Sequence, residues 1–252
     1  MNIRDVRTRW INVDKDVDKA KQMEELLDRW GFKDHQRISA VTGIEPHEAV
    51  RHGEEHYRNC AESHFKVLEE TILKDEQPVL ILEDDVEIET NAWSEDFLVP
   101  EDADAIYFGT SHGDNNYQAI DEKNGWLTIS KVFSTHAILH ISPHFSKKVI
   151  EVGKHWIYDK CHPFDVGIAY DIQSHYKVYA PKIPVFYQAD SKNSVNKWEG
   201  MTRNGLEIKC FSMPLFSESQ IKQVTHRWQT SKTQTYLVLN LVVQHKVLNL
   251  SL

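Results

Sequence analysis

Three consecutive carboxylates, Glu83, Asp84 and Asp85, come directly after four apolar residues, Val79-Leu80-Ile81-Leu82. Like charges packed side by side repel one another unless a cation or hydrogen bonds offset them. Hard carboxylate oxygens suit Mg²⁺ or Mn²⁺, ions that take one or two protein carboxylates and keep further positions for substrate phosphates. The bland alternative is a solvated strand end, extended by Glu87 and Glu89.

The apolar run, preceded by Pro78, has the length and composition of a strand buried on both faces of an α/β sheet. In open α/β sheets the ligand crevice lies beyond the carboxyl ends of the strands, which is where these acids emerge. A strand–helix–strand unit precedes it. Trp10-Ile11-Asn12-Val13 has strand character, and Asp14 is placed to cap the helix after it. Ala20, Met23, Leu26, Leu27 and Trp30 recur at three- and four-residue spacing, predicting an amphipathic helix from about Asp16 to Trp30 that Gly31 ends. Arg37 to Val41 is the second strand, closed by Thr42-Gly43.

Further along, Arg58 to Leu73 has a helical stripe of Ala61, His64, Phe65, Leu68 and Ile72. A histidine on such a face is more often buried and hydrogen-bonded than a metal ligand. His47, His52 and His56 sit near helical spacing, but nothing apolar positions them, and they are read as exposed. Short strands are expected at Ala105–Gly109, within Trp126–Ile141, at Tyr176–Ala180 and at Val185–Gln188, with a polar loop over Ser111–Gly125 and a ligand-covering segment over Ser191–Gly205.

Composition narrows the classes. With 252 residues the chain can bury a large core. Its net charge of −9 argues against a globally basic nucleic-acid or membrane surface. Cys60, Cys161 and Cys210 are odd in number and widely spaced, without paired metal-ligand spacing, so reduced thiols and a cytoplasmic setting are expected. Arg4, Asp5, Arg7 and Arg9 interrupt the N-terminus and do not fit a signal peptide, and no apolar run reaches membrane-span length.

Three stretches then resemble one family. Ile11-Asn12-Val13-Asp14 with its adjoining helix and Arg37-Ile38-Ser39-Ala40-Val41-Thr42-Gly43 is the first. Asn59-Cys60-Ala61-Glu62-Ser63-His64-Phe65-Lys66-Val67, with Pro78 to Val86 after it, is the second. The third and loosest runs from Phe133-Ser134-Thr135-His136-Ala137 through Pro163-Phe164-Asp165 to Val185-Phe186-Tyr187-Gln188 and Ser191. Together, over about residues 8 to 195, they resemble glycosyltransferase family 25, the lipooligosaccharide and collagen galactosyltransferase group. The family's usual leucine before Ser-His is Glu62 here, and about the last fifty residues have no counterpart.

The resemblance implies a GT-A type fold, a mixed, mostly parallel central sheet flanked by helices, in a catalytic domain over 1–205 with an extension over 206–252. It further implies a nucleotide-sugar donor, UDP-linked, a Mn²⁺ or Mg²⁺ ion and inversion at the anomeric carbon. Asp85 is then the direct metal ligand with Glu83 beside it, since side chains two apart share one side of an extended segment while Asp84 faces the other. Donor contacts are expected from Asn12, Asp14, Thr42, Gly43, Ser63, His64, Glu83 and Asp84. An inverting transfer needs a base for the acceptor hydroxyl. Asp165, near Trp156, Tyr158 and Phe164, rings that could stack on a sugar, is the first choice, with Asp171 and Asp114 as rivals. The acceptor would be a glycan such as a surface polysaccharide or lipooligosaccharide. A modified nucleic acid is the less favoured acceptor, kept by Lys192, Lys197 and Arg203; a phosphohydrolase and an inactive binding protein are the other readings.

Overall fold

The computed structural model describes residues 1–45, 56–88, 98–109, 118–123, 126–133, 135–181 and 185–188. His47, His52, Asp114, Ser191–Gly205 with Lys192, Lys197 and Arg203, Cys210 and the extension over 206–252 lie outside the described residues.

The apolar run forms the strand β3 (Val79–Glu83), counted after β1 (Thr8–Asn12) and β2 (His35–Ser39). Val79, Leu80, Ile81 and Leu82 are each fully buried. Alternation splits them between two cores: Val79 and Ile81 face one side of the sheet, Leu80 and Leu82 the other. Helix α1 (Val17–Trp30) packs Met23 and Leu27 on the Leu80/Leu82 side. Gly31 ends it in the left-handed region, φ +76°, its N–H bonding back to Leu27 and Asp28 carbonyls. Helix α2 (Tyr57–Glu70) packs Ala61, Phe65 and Leu68 on the opposite side.

The other strands and α-helices are α3 (Ile72–Asp75), β4 (Val86–Ile88), β5 (Ala105–Tyr107), β6 (Gln118–Lys123), β7 (Trp126–Ser130), β8 (Ala137–His140), α4 (Pro143–Lys154), α5 (Phe164–Gly167), β9 (Val178–Pro181) and β10 (Phe186–Gln188). Eight strands make the main sheet in the order β2-β1-β3-β8-β5-β9-β7-β6, and β10 pairs with β4 in a separate two-stranded sheet.

This is a mixed α/β fold, but the sheet is not mostly parallel. β1 runs parallel to β2 and β3, and β5 to β9; the pairs β3–β8, β5–β8, β7–β9 and β6–β7 are antiparallel. Apart from the short β5–β9 pair, the parallel character lies at the β2-β1-β3 end, where helical crossovers connect the strands. Other boundaries move as well. β6 occupies part of the Ser111–Gly125 stretch expected as loop, and Trp126–Ile141 divides into β7 and β8. Pro143 starts α4: Ser142 caps the helix by accepting from the Phe145 N–H, and proline at the first helical position loses no bond.

The order 2-1-3, with α1 on one face and α2 on the other, creates a topological switch point between the carboxyl ends of β1 and β3. Asn12 ends β1 and Glu83 ends β3, so the fold brings the polar residues to the position where such sheets bind ligands.

Candidate functional site

The strand-end acids separate as extended-chain alternation requires. Asp84 turns toward β1 and α1, accepting from Asn12 Nδ2 at 2.6 Å and from Lys19 Nζ at 3.3 Å. Glu83 and Asp85 turn to a common partner, the Gln188 side-chain amide, which lies 3.5 Å from Glu83 Oε2 and 3.3 Å from Asp85 Oδ2.

Glu83 is the more firmly held of the two. Its Oε1 accepts from His64 Nε2 at 3.2 Å and from the Thr135 hydroxyl at 2.8 Å. Burial alone would raise its carboxyl, but these bonds and the attraction of His64 outweigh it and hold the group down at about 2. His64 is buried, and Phe164 packs against its ring at 5.3 Å between centroids.

Asp85 differs. Among the described residues its hydrogen-bond partner is the Gln188 amide alone, at 3.3 and 3.4 Å. Burial pushes its carboxyl up, the charges of Glu83 and Asp84 push the same way, and Lys19 and Gln188 only partly pull it back, leaving it at about 7. A carboxylate so placed has lone pairs to give and a surplus of negative charge around it. The carboxylate oxygens of Asp85 and Glu83 are of the type that could hold a hard divalent cation.

The β1–β2 side is a polar network. Arg37 donates from Nε to Asn12 Oδ1 at 2.8 Å and from its terminal nitrogen to Asp14 Oδ1 at 2.6 Å, and the Ser39 hydroxyl also donates to Asp14. These bonds to Ser39 and Arg37 hold the exposed Asp14 carboxyl below its ordinary value. Asp14 is not a helix cap: Asp16 occupies that position, without a side-chain capping bond.

Thr42 and Gly43 are exposed beyond β2, with Gly43 in the left-handed region at φ +80°. Helix α2 pins this loop, since Val41 N–H donates to Ser63 Oγ at 2.8 Å and Ile44 N–H to Asn59 Oδ1 at 3.0 Å. Ser63 therefore acts here through the loop it holds.

Asp165 is half-buried in α5. It lies in the electrostatic neighbourhood of the strand end: Cys60 is raised well above its ordinary value by burial, then by Glu83, Asp165, Asp85 and Asp84. Its rival Asp171 accepts from the Trp156 indole N–H at 2.6 Å and pairs with Lys160 at 3.6 Å. Of the three expected stacking rings, Phe164 is buried against Phe65 and cannot serve. Tyr158 is exposed but engaged, its hydroxyl on Glu62 and Arg58 over its ring. Trp156 carries Lys160 3.9 Å from its ring centre.

Thr135, Gln188, Lys19 and Arg37 complete the site, and residue type and spacing do not single them out. Thr135 and Gln188 do stand inside the third family-like stretch, a signal that could have found them. Gly109 supports the site from behind: a Cβ there would lie 2.0 Å from His136 Nε2, so only glycine lets the end of β5 approach that buried ring.

No family model matches this chain, and no curated protein matches it. Among solved structures it is similar to a glycosyltransferase involved in the glycosylation of the major capsid of PBCV-1, with TM-score 0.45 and 13% identity over 76% of this chain and 95% of that chain. No helix among the described residues is long and apolar enough to cross a membrane.

Proposed function

We propose that this chain is a metal-dependent, inverting glycosyltransferase of the GT-A type, related to family 25, that moves a galactose- or glucose-type hexose from a UDP-linked donor to a glycan acceptor. One observation carries the proposal. At the β1/β3 switch point, Asp85 is a carboxylate with a single weak amide partner among the described residues and excess negative charge around it. Such a position calls for a cation, and a cation beside a switch-point crevice calls for phosphates.

Asp85 and Glu83 would hold Mn²⁺ or Mg²⁺, which would supply positive charge against the departing nucleoside diphosphate. The chain's own residues do the rest. His64 and Thr135 fix Glu83, and Asn12 and Lys19 hold Asp84 away from it. Asn59 and Ser63 set the Thr42-Gly43 loop over the nucleotide half of the donor, with Asn12 and Asp14 at its edge. Asp165 takes the acceptor's hydroxyl proton. The reduced-thiol reading puts the reaction in the cytoplasm, and a surface polysaccharide or lipooligosaccharide is the acceptor class.

The test is Asp85→Ala, assayed for Mn²⁺-dependent transfer from a panel of UDP-hexoses. Transfer should fall by about 10³-fold, the scale of losing one preorganised electrostatic contact at the reacting charge. Full activity in the variant, or wild-type turnover of phosphate esters without any sugar donor, would overturn the proposal.

A further inference from the structure

We infer a second cation site, built from Cys60, His64 and Glu83 and suited to a borderline-soft divalent ion of the Zn²⁺ class. It shares Glu83 with the cation of the proposed transferase site, but Asp85 is not among its ligands, so the two sites are told apart at Asp85.

The geometry comes from two elements. Cys60 and His64 are four residues apart on α2 and so leave the helix on one face. The end of β3 delivers Glu83 opposite them. One ligand atom from each, Cys60 Sγ, an imidazole nitrogen of His64 and a carboxylate oxygen of Glu83, lie within 4.8 Å of one another. His64 Nε2 and Glu83 Oε1 are 3.2 Å apart. That is close to the edge of a tetrahedron with metal bonds of about 2.0–2.1 Å. Binding requires the half-buried Cys60 side chain to turn toward the other two ligands.

The surroundings resemble those of metal ligands. Thr135 donates to Glu83 Oε1 and Phe164 packs on the His64 ring, so two of the three ligands are oriented by neighbours. Burial, and then the charges of Glu83, Asp165, Asp85 and Asp84, push the Cys60 thiol up, so a cation has to displace its proton; the same negative potential draws the cation there. A sulfur, a nitrogen and an oxygen select Zn²⁺ over Mg²⁺ or Mn²⁺, and three protein ligands leave one open position. Binding breaks the Cys60 S–H bond and releases its proton to solvent; His64 gives up its Nε2 proton and carries its one N–H on Nδ1, and the ion replaces the His64–Glu83 hydrogen bond as the tie between α2 and β3.

The full chain, stripped with chelator, is titrated with Co²⁺ alone. A thiolate-to-cobalt charge-transfer band with the visible bands of a tetrahedral ion should appear, be lost in Cys60→Ser and survive in Asp85→Asn. In parallel, Zn²⁺ should slow alkylation of Cys60 by roughly tenfold while leaving Cys161 unchanged, because a metal-bound thiolate is a poor nucleophile. A wild-type titration without the band, a band that persists in Cys60→Ser, or one that vanishes in Asp85→Asn would overturn the site. Should Cys60→Ser fail to fold, the alkylation of wild-type protein decides, and equal rates with and without Zn²⁺ would refute the inference.

Discussion

The two ends of β3 are chemically opposite, the amino end fully buried and the carboxyl end half-buried. At the amino end, Val79 pairs with His140 of β8, whose ring is 2% exposed. Its Nδ1 lies 3.1 Å from the Ser146 hydroxyl, which in turn donates to the Ser142 carbonyl at 3.0 Å. Burial, reinforced by the charge of His64, drives His140 down to about 3, so it sits there neutral and partnered. At the carboxyl end three acids share Lys19, His64 and a few neutral donors. A neutral polar group with its hydrogen bonds made contributes structure. Charge left over after the hydrogen bonds are made is a demand for a ligand, and that demand is concentrated on Asp85.

The sharpest way to break this contrast is Asp85→Asn. Transfer should fall by about 10³-fold, as for the alanine variant. The metal-free fold should at the same time become more stable. Asp85 titrates near 3.8 when unfolded and at about 7 when folded, so the folded state binds the extra proton between those values. Its cost therefore grows as pH rises from about 4 to 7 and is fully present above 7. Asparagine removes that cost. Chemical denaturation in chelator should show a gain of roughly 1–2 kcal/mol at pH 8 that disappears by pH 4. A variant no more stable than wild type at pH 8 would mean that Asp85 carries no unmet charge.

At the other end the sign reverses. His140 is driven below its unfolded value of 6.5, so the unfolded state takes up a proton first as pH falls and stability is lost between 6.5 and about 3. His140→Leu should abolish this component: between pH 7 and pH 4 wild type should lose about 3 kcal/mol more than the variant. Transfer by the folded variant at pH 7 should be unchanged. Parallel pH–stability curves for the two proteins would count against a buried neutral His140.

Gly109→Ala probes the contact between the two regions' supports. The added Cβ would meet the His136 ring, which is wholly buried and cannot swing away. Overpacking of this kind costs about 1–3 kcal/mol. Because Thr135 and Glu83 adjoin that ring in the chain and the sheet, transfer should fall alongside stability, whereas Gly153→Ala, which crowds Phe65 instead, should cost stability alone.

Local pattern carries the parts of this site that lie within one element. The buried run of β3, the α1 stripe with its Gly31 terminus and the opposed directions of Glu83 and Asp84 all derive from residue type and a period of two or 3.6. What local pattern misses is closure across the fold. Thr135 reaches Glu83 across 52 positions and Gln188 reaches Asp85 across 103, through antiparallel strands that periodicity cannot register. Phe164 illustrates the same limit: next to Asp165 it looks like a stacking ring, yet the packing of α5 against Phe65 and His64 buries it. Comparing cysteines only with cysteines overlooks Cys60, whose partner is a histidine one helical turn away. The sheet's antiparallel half is hidden because short apolar strands read alike in either direction.

The smallest effect is expected at Lys19, and it sharpens the contrast within the acidic end. Lys19 is 3.3 Å from Asp84, with both side chains about one-sixth exposed, and it also restrains the rise of Asp85. Replacing it with methionine keeps the aliphatic stem and deletes the charge. Asp84 retains Asn12, so the fold should lose no more than about 0.5–1 kcal/mol. Asp85 loses its nearest counter-charge, and its carboxyl must rise further, so a proton competes with the cation over a wider pH range. Transfer at pH 6.5 should therefore drop by roughly two- to fivefold and return toward wild type at pH 8, where the proton is gone. A loss equal at both pH values would assign Lys19 to donor binding, because a directly contacted phosphate would feel the missing charge at either pH.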